Sequence, residues 1–380
     1  MQLVHILFPL LFTIIIFIIL LTVEIKDKHF DIGVFSICLI YLIPTLVINS
    51  LFMFAIEKNA GVDTEIWSGR IIEIDHNEEW DEWIPPKTYT ETEYYYVNGE
   101  KKSRQVTKTK PGYWKHHYAT NSIKTSDEGW KNVGKSPDGK IDFNDKYPNT
   151  NEELAQYYPL NQATASFHTY QNKLQFSKSL FKAGDVDETL VEQLPNYPDK
   201  VNSDFSIDRF LGQIQDKEKM NNLIDEWNAK LNSDPLNKQV NVIYVNVGDL
   251  PIEYGYALEA KWEGANKNDF VICFSMVDNK INWVYPFSWT EIEILKINIR
   301  DYMLDNKNVD DFSTIINDTC NMIAKDFTRK EMADYEYIKY QHKTGSYVIS
   351  FIVSAIVLGV LIYILNNIDI NSNNYYNRRY

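Results

Sequence analysis

The chain has 380 residues and a formal net charge of −14. That acidic excess excludes a nucleic-acid partner, because phosphate binding needs a basic surface. Three cysteines make no disulfide framework: Cys38 sits in an apolar run, and Cys273 and Cys320 fall on faces that read as buried, as small hydrophobes do.

In chain order, the first elements are two uncharged apolar runs, Ile6 to Val23 and Ile32 to Ile56; a third, Tyr347 to Leu365, comes near the end. Roughly 20 apolar residues in a helix cross a bilayer core of about 30 Å. A cleavable leader does not fit, since Met1 to His5 has no Lys or Arg and Thr22-Val23-Glu24 is no small-residue cleavage site. The expectation is a multi-pass integral membrane protein with three α-helical spans, at about 4–23, 32–56 and 347–365. Residues 1–57 then form a hairpin linked by Glu24 to Asp31, and 366–380 form a polar tail. Asn49 is expected to hydrogen-bond to the first or third run. Lys58, Arg70, Lys339 and Lys343 on one side balance Lys26, Lys28, Arg378 and Arg379 on the other, so the side facing the soluble region stays open.

Residues 64–182 read as a small antiparallel β domain. Ile66, Ile72 and Ile74 alternate, and Tyr89 to Val97 mixes Tyr and Thr with Glu in the manner of a half-buried strand. Asn98-Gly99 then predicts a tight hairpin turn into Lys101 to Thr109, because both central residues need positive φ. Pro111-Gly112 predicts the next turn, followed by a strand at Tyr113 to Thr120, a loop of turn residues from Ser136 to Thr150, a helical turn near Glu152 to Tyr157 and a strand at Ala165 to Phe176. The aromatic residues of this region are expected mainly in the core and in cross-strand pairs.

A polar linker spans 183–205, and after it the period changes to that of helices. Asp216 to Leu231, with Asp216 as its N-cap, places Met220, Leu223, Ile224, Trp227 and Leu231 on one face. The order continues with a strand at Val240 to Val247, a helix at Ile252 to Gly264, strands at Phe270 to Met276 and Lys280 to Pro286, and helices at Thr290 to Leu304 and Asp310 to Phe327. Thr290 and Glu293 read as a capping box. The soluble region is thus α+β: the β domain, then a layered α/β domain with a mixed sheet over 206–330, then a connector, 331–346.

Tyr256 to Gly264, Asn268-Asp269 and the strand from Phe270 carry a resemblance. With Ala257, Trp262, Gly264 and Lys267 they resemble the TPM-type domain of membrane-anchored proteins, over residues 205–325. Asp269 stands where that family has a small residue, and Asn282 to Pro286 replaces its glycine-rich stretch. The whole arrangement also resembles membrane proteins of tailed phages and bacteria. The resemblance implies an anchored assembly or repair factor, with a weak phosphatase activity as a further implication.

Chemistry is sparse in the sequence. No G-x-S-x-G, H-E-x-x-H, P-loop or C-x-x-C occurs. His116 and His117 are adjacent on a predicted strand, so they point to opposite faces and do not share a metal. Asp75, Glu78, Glu79, Asp81 and Glu82 read as a solvated acidic edge. Asp249 follows the first strand of the α/β domain, Asp269 precedes the next, and Asp208 lies near the first helix. The expected function is a membrane-anchored interaction or assembly module with no cofactor. Its expected partners are the lipid bilayer and another membrane or membrane-associated protein, with no nucleic acid. The alternative is a metal-dependent phosphohydrolase holding Ca²⁺ or Mg²⁺ on Asp249, Asp208 and Asp269. Trp67, Trp80, Trp83 and Trp114 form a candidate aromatic interface.

Overall fold

The computed structural model describes residues 32–133, 148–176, 188–201, 205–357, 359 and 360, with Leu7, Leu10, Leu11, Ile14, Ile15 and Ile18 as isolated positions. Side chains are described from Pro44 onward, except at 175 and 188. The chain divides into two compact units, one of residues 1–64, 169–180 and 331–380, the other of 65–168 and 181–330.

The first unit holds helix α1 (Ile32–Asn59), a short 3-10 turn at Lys173–Phe176, another at Met332–Tyr335, and a helix over 344–357. Its polar groups turn inward. Asn49 donates from Nδ2 to the Ser350 carbonyl at 2.9 Å and to Ser354 Oγ at 2.5 Å, and Ser350 Oγ donates back to Asn49 Oδ1 at 3.0 Å. All three are buried, so the bonds satisfy groups that burial would otherwise penalise. Asn49 therefore bonds to the third apolar run.

The membrane class does not hold. Among the described residues no helix is long and apolar enough to cross a membrane. Within the third run the described residues 347–357, 359 and 360 are helical. In α1 the stretch with described side chains begins at Pro44, buries Thr45, Asn49 and Ser50, and ends on Glu57 and Lys58. The first run lies outside the described residues, apart from the six isolated positions. The three-span architecture, the multi-pass assignment and the membrane localisation are therefore corrected to an α+β protein.

The second unit is built on two four-stranded sheets. The first has the order β7-β6-β1-β8, from β1 (Val62–Asn77), β6 (Thr120–Thr125), β7 (Gly129–Asn132) and β8 (Ala163–Gln171). Here β6 runs antiparallel to β1 and to β7. Between β1 and β6 the chain leaves the sheet as β2 (Trp80–Ile84), β3 (Lys87–Val97), β4 (Glu100–Lys110) and β5 (Tyr113–His117). β2 pairs with β5 and β3 with β4, which makes one long two-stranded ribbon. Helix α2 (Asn151–Tyr157) is capped by Thr150, whose Oγ1 accepts from the Glu153 amide at 3.1 Å.

The short helix α3 (Glu188–Glu192) leads into the α/β part. Its elements are β9 (Phe210–Leu211), α4 (Lys217–Leu231), β10 (Asn241–Asn246), α5 (Glu253–Lys261), β11 (Asp269–Val277), β12 (Lys280–Ser288), α6 (Glu293–Asp305) and α7 (Phe312–Asp326). β9, β10 and β11 are parallel and β12 is antiparallel to β11. Alternation sorts the core. Val242, Tyr244, Phe270 and Ile272 meet α4, α6 and α7 on one face. Ile243, Val245, Val271 and Cys273 meet α3 and α5 on the other. The two parallel crossovers step the same way along the sheet but lie on opposite faces. They therefore have opposite hand, and one is of the uncommon left-handed kind.

Local capping departs from the sequence expectation at two helices. Asp216 takes a left-handed conformation with φ of 54° and makes no cap bond. Thr290 starts no capping box: its Oγ1 donates to the Thr328 carbonyl at 3.0 Å and accepts from the Ile292 amide at 3.2 Å, and the helix begins at Glu293. The expected loop from Ser136 falls largely outside the described residues.

Candidate functional site: an exposed β-ribbon

The ribbon starts from its turn. Asn98 and Gly99 have φ of 53° and 83°, the two positive values of a type I′ hairpin, and Val97 and Glu100 close it as partners. From that pair the register runs unbroken to Lys87 opposite Lys110. The next two positions on each arm are Pro85-Pro86 and Pro111-Gly112. Proline has no amide proton to give, so pairing lapses and resumes at Ile84 opposite Tyr113. Gly112 is required there for space, since a Cβ would come within 2.5 Å of the Trp83 ring.

Burial sets the ribbon apart. Every residue of β3 except Glu93 is exposed, and on β4 only Val106 and Lys108 are partly covered. Tyr94, Tyr96 and Trp114 expose 64 %, 71 % and 67 % of their surface. The expectation that these aromatics lie mainly in the core is thereby corrected, since β2 to β5 lie in no apolar cluster, while the expected cross-strand pairing is seen at Trp83 and Trp114. Trp83 packs against Trp114 at 5.3 Å between ring centres, and Trp80 stacks on His117 at 4.3 Å. Successive strand residues alternate, so these two pairs occupy opposite faces. Trp67 stands apart in β1, stacked on His168 at 3.9 Å and donating to Glu65 Oε1 at 2.8 Å. Three of the four candidate tryptophans are therefore on the ribbon and one is not.

Charge is distributed by strand. β3 carries Glu91 and Glu93, while β4 carries Lys101, Lys102, Arg104, Lys108 and Lys110. Lys108 Nζ lies 2.9 Å from Glu91 and 3.3 Å from Glu93, and Arg104 lies 3.1 Å from Glu93. Hydrogen bonds from Arg104 and Lys108 lower the Glu93 pKa, and those to Glu91 and Glu93 raise that of Lys108. Being exposed, the pairs add little to stability. The two histidines point apart as expected: His116 meets Asp81 at 2.8 Å and His117 meets Glu82 at 2.9 Å.

The candidate metal ligands do not converge. Asp269 begins β11 level with Asn241 at the start of β10, whereas Asp249 lies beyond the far end of β10. Six strand residues separate those ends by about 20 Å. Asp208 precedes β9 on the surface, bonded to Lys217 and Asn221. Asp269 is fully buried and accepts from Asn241 Nδ2 at 2.8 Å, the Asn266 amide at 2.8 Å and Tyr197 Oη at 3.1 Å. Among the described residues no group of three or more His, Cys, Asp or Glu is placed to hold a metal ion.

Two further constellations were not legible in the sequence. Ser166 Oγ lies 2.6 Å from Asp127 and 3.0 Å from His168 Nε2. A nucleophile triad needs the carboxylate on the histidine, and here it takes the serine proton, so His168 is left to donate rather than to act as base. Arg209, fully buried, reaches Asn241 at 2.8 Å and Ser68 at 2.6 Å and pairs with Asp225. Arg329 holds the buried Glu65 at 3.1 Å. These bonds bind the first sheet to the α/β part. No known protein family, curated protein or solved structure matches the chain.

Proposed function

We propose that the protein is an interaction or assembly module whose docking element is the ribbon of residues 80–117. The observation that carries this reading is that β3 leaves aromatic side chains in water on both faces, Tyr89 and Tyr95 on one and Tyr94 and Tyr96 on the other. A two-stranded ribbon is marginal by itself, and tyrosine and tryptophan are the residues that supply binding energy at interfaces. The carboxylates Asp249, Asp208 and Asp269 lie apart, so nothing favours the hydrolytic alternative.

The test is site-specific photo-crosslinking in cells that produce the full chain. A photoreactive phenylalanine analogue at Tyr94 or at Tyr96 should give the same discrete adduct. That adduct should vanish when residues 85–112 are replaced by a two-residue turn. Adducts at Tyr157 or Tyr256, with none along the ribbon, would sink the reading.

A further inference from the structure

The two edges of the ribbon are not alike. In a two-residue hairpin the closing pair is hydrogen-bonded, and bonded pairs recur at every second position. Val97, Tyr95, Glu93, Glu91, Tyr89 and Lys87 therefore spend their amides and carbonyls on β4. Thr88, Thr90, Thr92, Tyr94 and Tyr96 turn theirs outward. On β4 the outward set is Lys101, Ser103, Gln105, Thr107 and Thr109.

Proteins guard open edges with lysine, proline, bulges or covering elements. β4 has five cations along its length. From Thr88 to Val97, β3 has no Lys, Arg, Pro or Gly, and all but its two glutamates are β-branched or aromatic. Those glutamates already face the cations of β4. The register of β3 with β4 has no bulge. Thus β3 presents a straight, unguarded edge of strong strand formers.

We propose that this edge is filled by the same strand of a second copy of the chain, antiparallel and about a two-fold axis at Thr90. The proposal rests on the ribbon being the docking element. An edge open on one copy is open on every copy, and a two-fold axis lets the two fill each other without leaving a new one between them. Charge selects the register. An axis at Glu91 or Glu93 sets a carboxylate against itself, and one at Thr92 sets Glu91 against the partner's Glu93. An axis at Tyr94 makes no charge pair. At Thr90, Lys87 meets the partner's Glu93 on both sides of the axis, and Thr88 meets the partner's Thr92. An axis at Tyr89 also pairs Lys87 with a carboxylate, the partner's Glu91, but sets Pro86, which has no amide proton, against the partner's Thr92 and so shortens the ladder. Pairing stops at Pro86, which has no amide proton to offer.

Carbodiimide coupling of the full chain tests this directly. Along one strand Lys87 and Glu93 are about 20 Å apart, so a zero-length bond between them joins two copies. Sedimentation should show a dimer, and its crosslinked peptides should include Lys87–Glu93. Thr90→Pro should abolish both, because it removes an outward amide and no bond to β4; protected β4 amides in hydrogen exchange confirm that the hairpin persists. Lys87→Glu should also weaken the dimer, and adding Glu93→Lys should restore it. A monomer at all concentrations overturns the proposal, as does a dimer whose crosslinks avoid β3. If such a monomer still gives ribbon adducts with another protein, the docking reading survives and self-pairing does not. If no ribbon adduct of any kind forms, both fail.

Discussion

Asp269 is fully buried at the start of β11, where Asn241, the Asn266 amide and Tyr197 all donate to its carboxylate. Burial, resisted by the bonds from Asn241, Asn266 and Tyr197, raises its pKa from 3.8 to about 7. The folded state therefore holds a proton that the unfolded chain has released. The contribution of this group to stability should be greatest below about pH 4, fall as pH rises towards 7, and level off above it. A rise of that size sets a ceiling of roughly 4 kcal/mol on the fall. Asp269→Asn, which mimics the protonated acid, should remove this part of the slope in urea midpoints measured across the range. An unchanged slope would assign the pH dependence elsewhere. Arg209 permits a second test. Arg209→Leu should cost about 3–5 kcal/mol because it takes the buried cation from Asp225, and adding Asp225→Leu should recover part of the loss. Denaturant unfolding reads both; equal losses in single and double variants would show that packing dominates. Neither network was legible in the sequence. The residues of Arg209's network, from Ser68 to Asn241, are spread over 174 positions and meet only through strand order. The burial of Cys273 and Cys320, in contrast, followed from their faces. Both are buried and free, and burial pushes the Cys320 thiol up to about 12.

Elements were easier to read than their packing. Asn98-Gly99 announced a hairpin, and the helical periods of α4 and α7 announced their buried faces, because each signal is local. The same alternation of Tyr and Thr that identified β3 gave no hint that both of its faces are wet. Alternation marks the pleat, and the neighbour that covers it comes from elsewhere in the chain. The apolar runs failed for a related reason. Composition measures length and greasiness, whereas Asn49, Ser350 and Ser354 show where the polar groups of the described helices turn. An element that buries nothing should also stabilise nothing beyond itself. Replacing residues 85–112 by a two-residue turn should therefore shift the thermal midpoint of the second unit by no more than a few degrees, about 1 kcal/mol or less. Calorimetry checks this; a large drop would show that the ribbon is structural rather than a docking arm.

At the scale of the whole molecule, charge opposes the association that the ribbon invites. Residues 87–110 hold six cations (Lys87, Lys101, Lys102, Arg104, Lys108 and Lys110) against Glu91, Glu93 and Glu100, a balance of +3. The chain total is −14, so the remainder carries −14 − 3 = −17. Two copies joined at β3 bring two such bodies together. Thr90 lies ten residues from Trp80, about 33 Å along the strand, so the ribbons keep the bodies well apart. Screening decides what that separation means. The Debye length is about 30 Å at 0.01 M salt and about 8 Å at 0.15 M. At low salt the bodies still repel across the gap; near physiological salt they do not. The Lys87–Glu93 contacts are exposed and worth at most about 1 kcal/mol each, so their weakening by salt is the smaller effect. Dimerisation measured by sedimentation should therefore tighten as salt rises from about 0.01 to 0.15 M and change little beyond that. The opposite trend, a dimer that loosens steadily with salt, would mean that attraction between the basic strand and an acidic body drives assembly, and would move the contact from the edge of β3 to the face of β4.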